Sequence, residues 1–290
     1  MNNQFMRLIR SLFPPRVSPW ILLFSGWLVL GVLAEGAPPL PTVRILPPNL
    51  KIMPLGDSIT CGYPGTNAGY RGPLYDLLKP LASNFVFLGS STNAWSVTTL
   101  PLGQWHNEGH GSYGSEDIFT NLDGFNDTVF RKYGGKDRDP RGGHWLDGIA
   151  DGANARPAVY PDVILLMVGA NDRDHTNGAP ERLDRLVAKL VTLRTNAYLI
   201  IARIPPETDS AAHRAFVTNY NQWLDTIVAK YTGTGHVSSV DLNTGFPVNG
   251  LSQDGVHPSD VGYNFMASLW CEAILATAGA PPPPLSQPAH

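Results

Sequence analysis

The chain is poor in the residues that build several common kinds of site. Two cysteines, Cys61 and Cys271, occur in 290 residues, and with no histidines clustered beside them they make no zinc site. No other metal and no cofactor is expected. Positive charge is sparse, with 21 lysines and arginines against 24 acids. No basic patch interleaved with aromatics occurs, which argues against a nucleic-acid partner. The leading apolar run, Trp20 to Ala34, contains Ser25 and Gly26 and falls short of the roughly 20 residues a spanning helix needs. Internal repeats are absent.

What the chain has in quantity is glycine, 29 residues, and proline, 26 residues, which together point to long ordered loops. Its length suits one α/β domain with a sizeable core. Arg7, Arg10 and Arg16 precede the apolar run, and Val32-Leu33-Ala34 ends it on small residues. That pattern predicts a secretory signal peptide over 1–36, cleaved near Ala34 or Ala37, with a signal anchor as the competing reading. The expectation is a secreted, extracellular protein with no stable membrane association after cleavage. Residues 37–50 form a Pro-rich lead-in, 51–279 the folded domain, and 280–290 a disordered tail with four consecutive prolines. Asn126-Asp127-Thr128 is a glycosylation sequon.

Between those ends, apolar strands alternate with helical patterns. Strands are predicted at Lys51–Leu55, Phe85–Gly89, Asp162–Val168, Ala197–Ala202 and His236–Leu242. Asp162–Val168 is almost unbroken apolar, as a strand covered on both faces should be. Helices are predicted over 70–81, 180–194, 210–231 and 259–278; Leu183, Leu186, Val187, Leu190 and Leu193 make one stripe in the second of these. The alternation implies a single doubly wound, five-stranded parallel sheet of flavodoxin-like type, in strand order 2-1-3-4-5. In that order the first and last helices share a face, which brings Cys61 and Cys271 within reach of each other. A disulfide and two free thiols are both open. Two long connections, 90–115 and 119–161, are expected to build the rim of a cleft.

Three blocks sit where such a sheet places its chemistry. Met53-Pro54-Leu55-Gly56-Asp57-Ser58-Ile59-Thr60 ends a strand on a serine at a tight turn. Val168-Gly169-Ala170-Asn171-Asp172 ends another strand. Asp254-Gly255-Val256-His257-Pro258 precedes the last helix. Taken singly, each reads equally well as a turn or a cap. In this order they resemble the signature of the GDSL-like, or SGNH, hydrolases, over roughly Lys51 to Ala278. With Glu108-Gly109-His110 added, the set resembles carbohydrate esterase family three, whose members remove acetyl groups from xylan.

The resemblance implies a serine esterase. Ser58 would attack the ester, His257 would act as base, and Asp254 would hold the imidazole. The oxyanion donors would be the Ser58 N–H, the Asn171 amide, and a backbone N–H of Gly111 or Ser112, with Gly114 also near. A sugar-chain substrate suits Trp95, Trp105 and Trp145 as stacking platforms, although each reads also as a buried loop anchor. Arg71 is expected to pair with a loop carboxylate. The expected partner is thus an acylated polysaccharide or a small ester. The rival readings are a secreted lipase or phospholipase, and a non-catalytic carbohydrate-binding protein on the same scaffold.

Overall fold

The computed structural model describes residues 46–278, apart from 83, 125–131, 133, 136–138 and 176. The expected signal peptide, most of the lead-in, the tail and the Asn126 sequon lie outside the described residues.

The elements run β1 (Lys51–Gly56), α1 (Ser58–Cys61), α2 (Arg71–Leu78), β2 (Val86–Phe87), β3 (Glu108–Gly109), α3 (Ser115–Asn121), β4 (Val163–Met167), α4 (Ala179–Leu193), β5 (Tyr198–Arg203), α5 (Ala211–Tyr231), β6 (Val237–Asp241) and α6 (Asp260–Thr277). The sheet is parallel throughout and ordered β2-β1-β4-β5-β6. This is the expected order of the five predicted strands. The strand β3, also paired with β1, adds a sixth. Every residue of β4 is buried, which explains its unbroken apolar sequence. The α4 stripe of Leu183, Leu186, Val187 and Leu190 is buried as its spacing requires. α2 packs on α6, while α3 packs on α4 and α4 on α5.

The edge beside β1 is divided between two short strands. β2 pairs with Lys51 and Ile52, and β3 with Leu55 and Gly56. The Ile52 carbonyl accepts from Leu88 N–H and the Gly56 carbonyl from His110 N–H. Backbone groups alternate sides along a strand, so Pro54 faces the same edge, in the gap between the two partners. A proline without an N–H is tolerated there. On the outer side of β2, Gln104 stands in for another strand: its amide donates to Phe85 O at 2.8 Å and accepts from Phe87 N–H at 3.0 Å. The split edge matters for the site, because β3 delivers residues 108–112 to the end of β1 that carries Ser58.

Three short elements were not predicted: α1, a single turn of helix where only a tight turn was expected, β3 and α3. β3 has two residues, too few for a periodic pattern. α3 lies in a stretch that reads as loop because it is polar, yet Ser115, Glu116, Asp117, Thr120 and Asn121 are buried. Specific partners offset part of the cost of that burial: Ser115 bonds to Asp172, and Glu116 pairs with Arg185 at 2.7 Å. Among the described residues no helix is long and apolar enough to cross a membrane.

Candidate active site

The turn after β1 is shaped by close contacts. A Cβ at Gly56 would lie 2.0 Å from the Met167 carbonyl oxygen and 2.4 Å from Thr60 Oγ1, so no larger residue fits. Asp57 then caps α1, accepting from Ile59 N–H at 2.9 Å. Ser58 is the first residue of that helix, where backbone N–H groups have no intrahelical acceptor. Asp57 is fully buried and its Oδ2 has no hydrogen-bond partner. Burial pushes its carboxyl up to about 7, against the Ile59 N–H bond and reinforced by the carboxylates of Glu207 and Asp172.

The loop between β6 and α6 meets this turn. Ser58 Oγ lies 2.8 Å from His257 Nε2, across 199 positions of sequence. His257 Nδ1 lies 2.7 Å from Asp254 Oδ2. The other oxygen of Asp254 accepts from Ser252 Oγ at 2.7 Å and from the backbone N–H groups of Val256 and His257, each at 2.9 Å. Partial burial acts to raise this carboxyl, but these bonds outweigh it and hold it well below the usual carboxylate range. The Tyr63 ring stands edge-on to the His257 ring, with centroids 4.6 Å apart.

The third side of the site comes from β3 and from the turn after β4. A Cβ at Gly109 would lie 2.3 Å from Cys61 N, so this glycine lets β3 press against α1. Beyond it, His110 N–H donates to Gly56 O and Tyr113 N–H to His110 O. Gly114 N–H donates to Asp117 Oδ2 at 2.7 Å, which removes it as a donor to the cavity. Among the described residues the N–H groups of Gly111 and Ser112 have no acceptor, and both residues line the cavity with Ser58. Asn171 lines it too. One N–H of its amide donates to Tyr113 O at 3.0 Å, leaving a second. The neighbouring Asp172 is buried and bonds to Ser115 N–H and Oγ on α3 and to Arg182 Nε on α4, fixing the turn that carries Asn171.

The resulting cavity holds about 410 Å³ and also exposes Tyr63, Ser91, Asn93 and Trp95. Tyr63, Ser91 and Asn93 were not anticipated; their sequence context carries no signal beyond proximity to the first block and the first long loop. Of the three candidate tryptophans, Trp95 lines the cavity and is 53 % exposed. The other two are corrected to loop anchors. Trp105 donates to Leu100 O at 2.9 Å and packs against a small satellite core. Trp145 is 1 % exposed, donates to Asp139 Oδ2 at 2.7 Å and stacks on His110.

Arg71 is also corrected. It is buried, and instead of a carboxylate it binds three backbone carbonyls, of Trp105, Cys61 and Asn93, at 2.9, 3.1 and 2.8 Å. Cys61 and Cys271 are buried free thiols. Among the described residues one group, Glu207, Asp209 and His213, offers ligand-type atoms within 4.8 Å of one another. It lies outside the cavity, and Glu207 is paired with Arg173 at 2.9 Å.

The sequence from residue 87 to residue 265 matches the model of the GDSL-like lipase/acylhydrolase family. The chain belongs to that family. The match spans Asn171, Asp254 and His257; Ser58 precedes it and is brought to it by the fold. A multidomain esterase of Ruminococcus flavefaciens is 29 % identical over 233 residues, which is 78 % of this chain and 28 % of the relative. The GDSL-like chain thus spans less than a third of that protein's length. A family 3 carbohydrate esterase from Clostridium thermocellum superposes with a TM-score of 0.54 at 26 % identity, over 79 % of this chain and 99 % of the other. A carbohydrate esterase family 3 structure from Talaromyces cellulolyticus gives 0.57 at 21 % identity, over 79 % and 98 %, a likeness of fold. The GDSL-like chain thus resembles family 3 carbohydrate esterases in sequence and fold.

Proposed function

We propose that this protein is an exported serine esterase that removes short acyl groups, acetyl foremost, from a polysaccharide such as xylan. The observation that carries the mechanism is the 2.8 Å contact between Ser58 Oγ and His257 Nε2 in an open cavity. A serine hydroxyl is a weak nucleophile without a base within hydrogen-bond reach. His257 is that base: it takes the hydroxyl proton as Ser58 Oγ bonds to the ester carbonyl carbon, then returns it to the departing sugar oxygen. Asp254, ionised and anchored by its own loop, holds the ring with Nδ1–H inward and stabilises the imidazolium. Water then cleaves the acyl-enzyme by the same route, releasing the carboxylic acid and restoring Ser58.

The developing oxyanion is received by the Ser58 N–H, an N–H of Gly111 or Ser112, and the second amide N–H of Asn171. One such donor is worth about 2.7–4 kcal/mol in a comparable site. The exposed indole of Trp95, beside Tyr63 at 4.4 Å, offers a flat apolar platform for a pyranose ring. Export is supported by the arginine-led apolar run of residues 7–34. The family resemblance of the sequence blocks and the Clostridium thermocellum relative support a carbohydrate ester as the substrate.

The test is acetate release from acetylated xylan, together with a series of p-nitrophenyl esters of increasing chain length. The wild type is expected to release acetate and to prefer the shortest esters, with Ser58→Ala inactive. Turnover by a folded Ser58→Ala protein contradicts the mechanism. A preference for long acyl chains makes the protein a lipase-type acylhydrolase instead.

A further inference from the structure

His110 is an imidazole at the cavity that the proposed reaction does not use. It lies one residue before the Gly111–Ser112 donors. Its Nε2 is 2.8 Å from Glu108 Oε2. Glu108 is fully buried, and with its carboxyl oxygen as the acceptor Nε2 is the nitrogen that donates. The same carboxylate accepts from Ser90 N–H and from Ser90 Oγ at 3.1 Å. Arg141 in turn grips Ser90, with Nη1 on its carbonyl at 2.8 Å and Nη2 on its hydroxyl at 2.9 Å. Arg141 Nε and backbone N–H bond to Asp139 Oδ1, and Asp139 Oδ2 accepts from Trp145 Nε1 at 2.7 Å. The Trp145 ring then lies flat on the His110 ring, with centroids 4.2 Å apart and planes 4° from parallel.

These contacts close a circuit: His110, Glu108, Ser90, Arg141, Asp139, Trp145 and back to His110. Its members come from three separate stretches of chain, around 90, around 108 and around 140. The circuit fixes the His110 ring both in its plane, through a hydrogen bond, and along the perpendicular, through a stacked face. The backbone on either side of His110 is pinned as well, by His110 N–H on Gly56 O and Tyr113 N–H on His110 O. The short segment between those two bonds is Gly111–Ser112, and Ser112 holds the left-handed conformation, φ 67°, which a non-glycine residue adopts only when its surroundings impose it.

We propose that His110 is a positioning residue for the oxyanion donors: the circuit clamps its ring, and the clamped ring holds the N–H groups of Gly111 and Ser112 where the tetrahedral intermediate needs them. The inference rests on the esterase reading above. Donors of this kind are effective because they are oriented before the charge develops, and a displacement on the order of 1 Å is costly. Trp145 thus acts on the reaction from behind the cavity wall.

The test pairs His110→Ala, which removes both ring and donor, with His110→Gln, whose amide nitrogen can take the place of Nε2. Each is assayed with p-nitrophenyl acetate and with an aryl boronic acid, which forms a tetrahedral adduct on a nucleophilic serine. For His110→Ala kcat is expected to fall about 100-fold with KM within twofold, and boronate affinity to weaken by a similar factor. His110→Gln is expected to recover part of both losses. If His110→Ala does not fold, His110→Gln alone must show the parallel loss in kcat and boronate affinity. Variants that melt like the wild type and keep both within threefold overturn the proposal. A wild type that the boronate does not inhibit, with Ser58→Ala still active, overturns the esterase reading beneath it.

Discussion

At the scale of single residues, the site sets one buried and one exposed carboxylate to opposite tasks. Asp254 is surrounded by donors and stays ionised beside His257, whereas Asp57, one position before Ser58, has one donor and a neighbourhood of acids. The second case has a measurable consequence for stability. The Asp57 carboxyl titrates near its ordinary 3.8 when unfolded and at about 7 when folded. Below about 4 both states carry the proton. Between those values only the unfolded chain has lost it, so the folded state loses stability as pH rises, by about 1.4 kcal/mol per unit of pH, and above 7 the loss is constant. The stability of Asp57→Asn relative to the wild type, measured by denaturant unfolding, is therefore expected to rise from pH 4 to pH 7 and then level off. A pH-independent difference contradicts an uncompensated buried carboxyl at this position. The three blocks that carry Ser58, Asn171 and His257 were legible because each ends an apolar run or precedes a helix. The roles of Trp145 and Arg71 were not: sequence shows that an indole or a guanidinium is present, and only the fold shows which side of the wall it faces.

At the scale of elements, what was readable followed from periodicity. β4 and α4 are long enough to repeat their burial pattern several times, and both were read to within a residue or two. β3 and α3 escaped because one has two residues and the other buries polar side chains through partners remote in sequence. The loop between β2 and β3 has its own organiser. Arg71, at the start of α2, reaches three carbonyls at once, two of them in that loop, at Asn93 and Trp105. A planar guanidinium spans such a set and an ammonium does not. Arg71→Lys is expected to cost about 3 kcal/mol, from buried charged hydrogen bonds lost, and to make residues 93–105 the first point of attack in limited proteolysis. Cleavage rates and sites unchanged from the wild type contradict this role. The loop also carries Trp95 to the cavity, so its order bears on substrate access.

At the scale of the whole molecule, a parallel sheet converts distant sequence into one edge. The ends of β1 and β4, the extension of β3 and the loop after β6 all open on the same side, and that shared side is why residues 199 positions apart touch. The split edge beside β1 is the part of this plan that composition and patterning leave hidden, since it depends on a proline placed opposite a gap. The two cysteines, buried as thiols, contribute packing to the core and no covalent link across it. The reaction turns on Ser58 being an activated nucleophile, and a serine-directed fluorophosphonate, followed by peptide mass spectrometry, reads that directly. One adduct per chain is expected, on the peptide containing Ser58, and none in His257→Ala on the same timescale. A folded wild-type protein that stays unlabelled, or that carries its adduct on another residue, contradicts it.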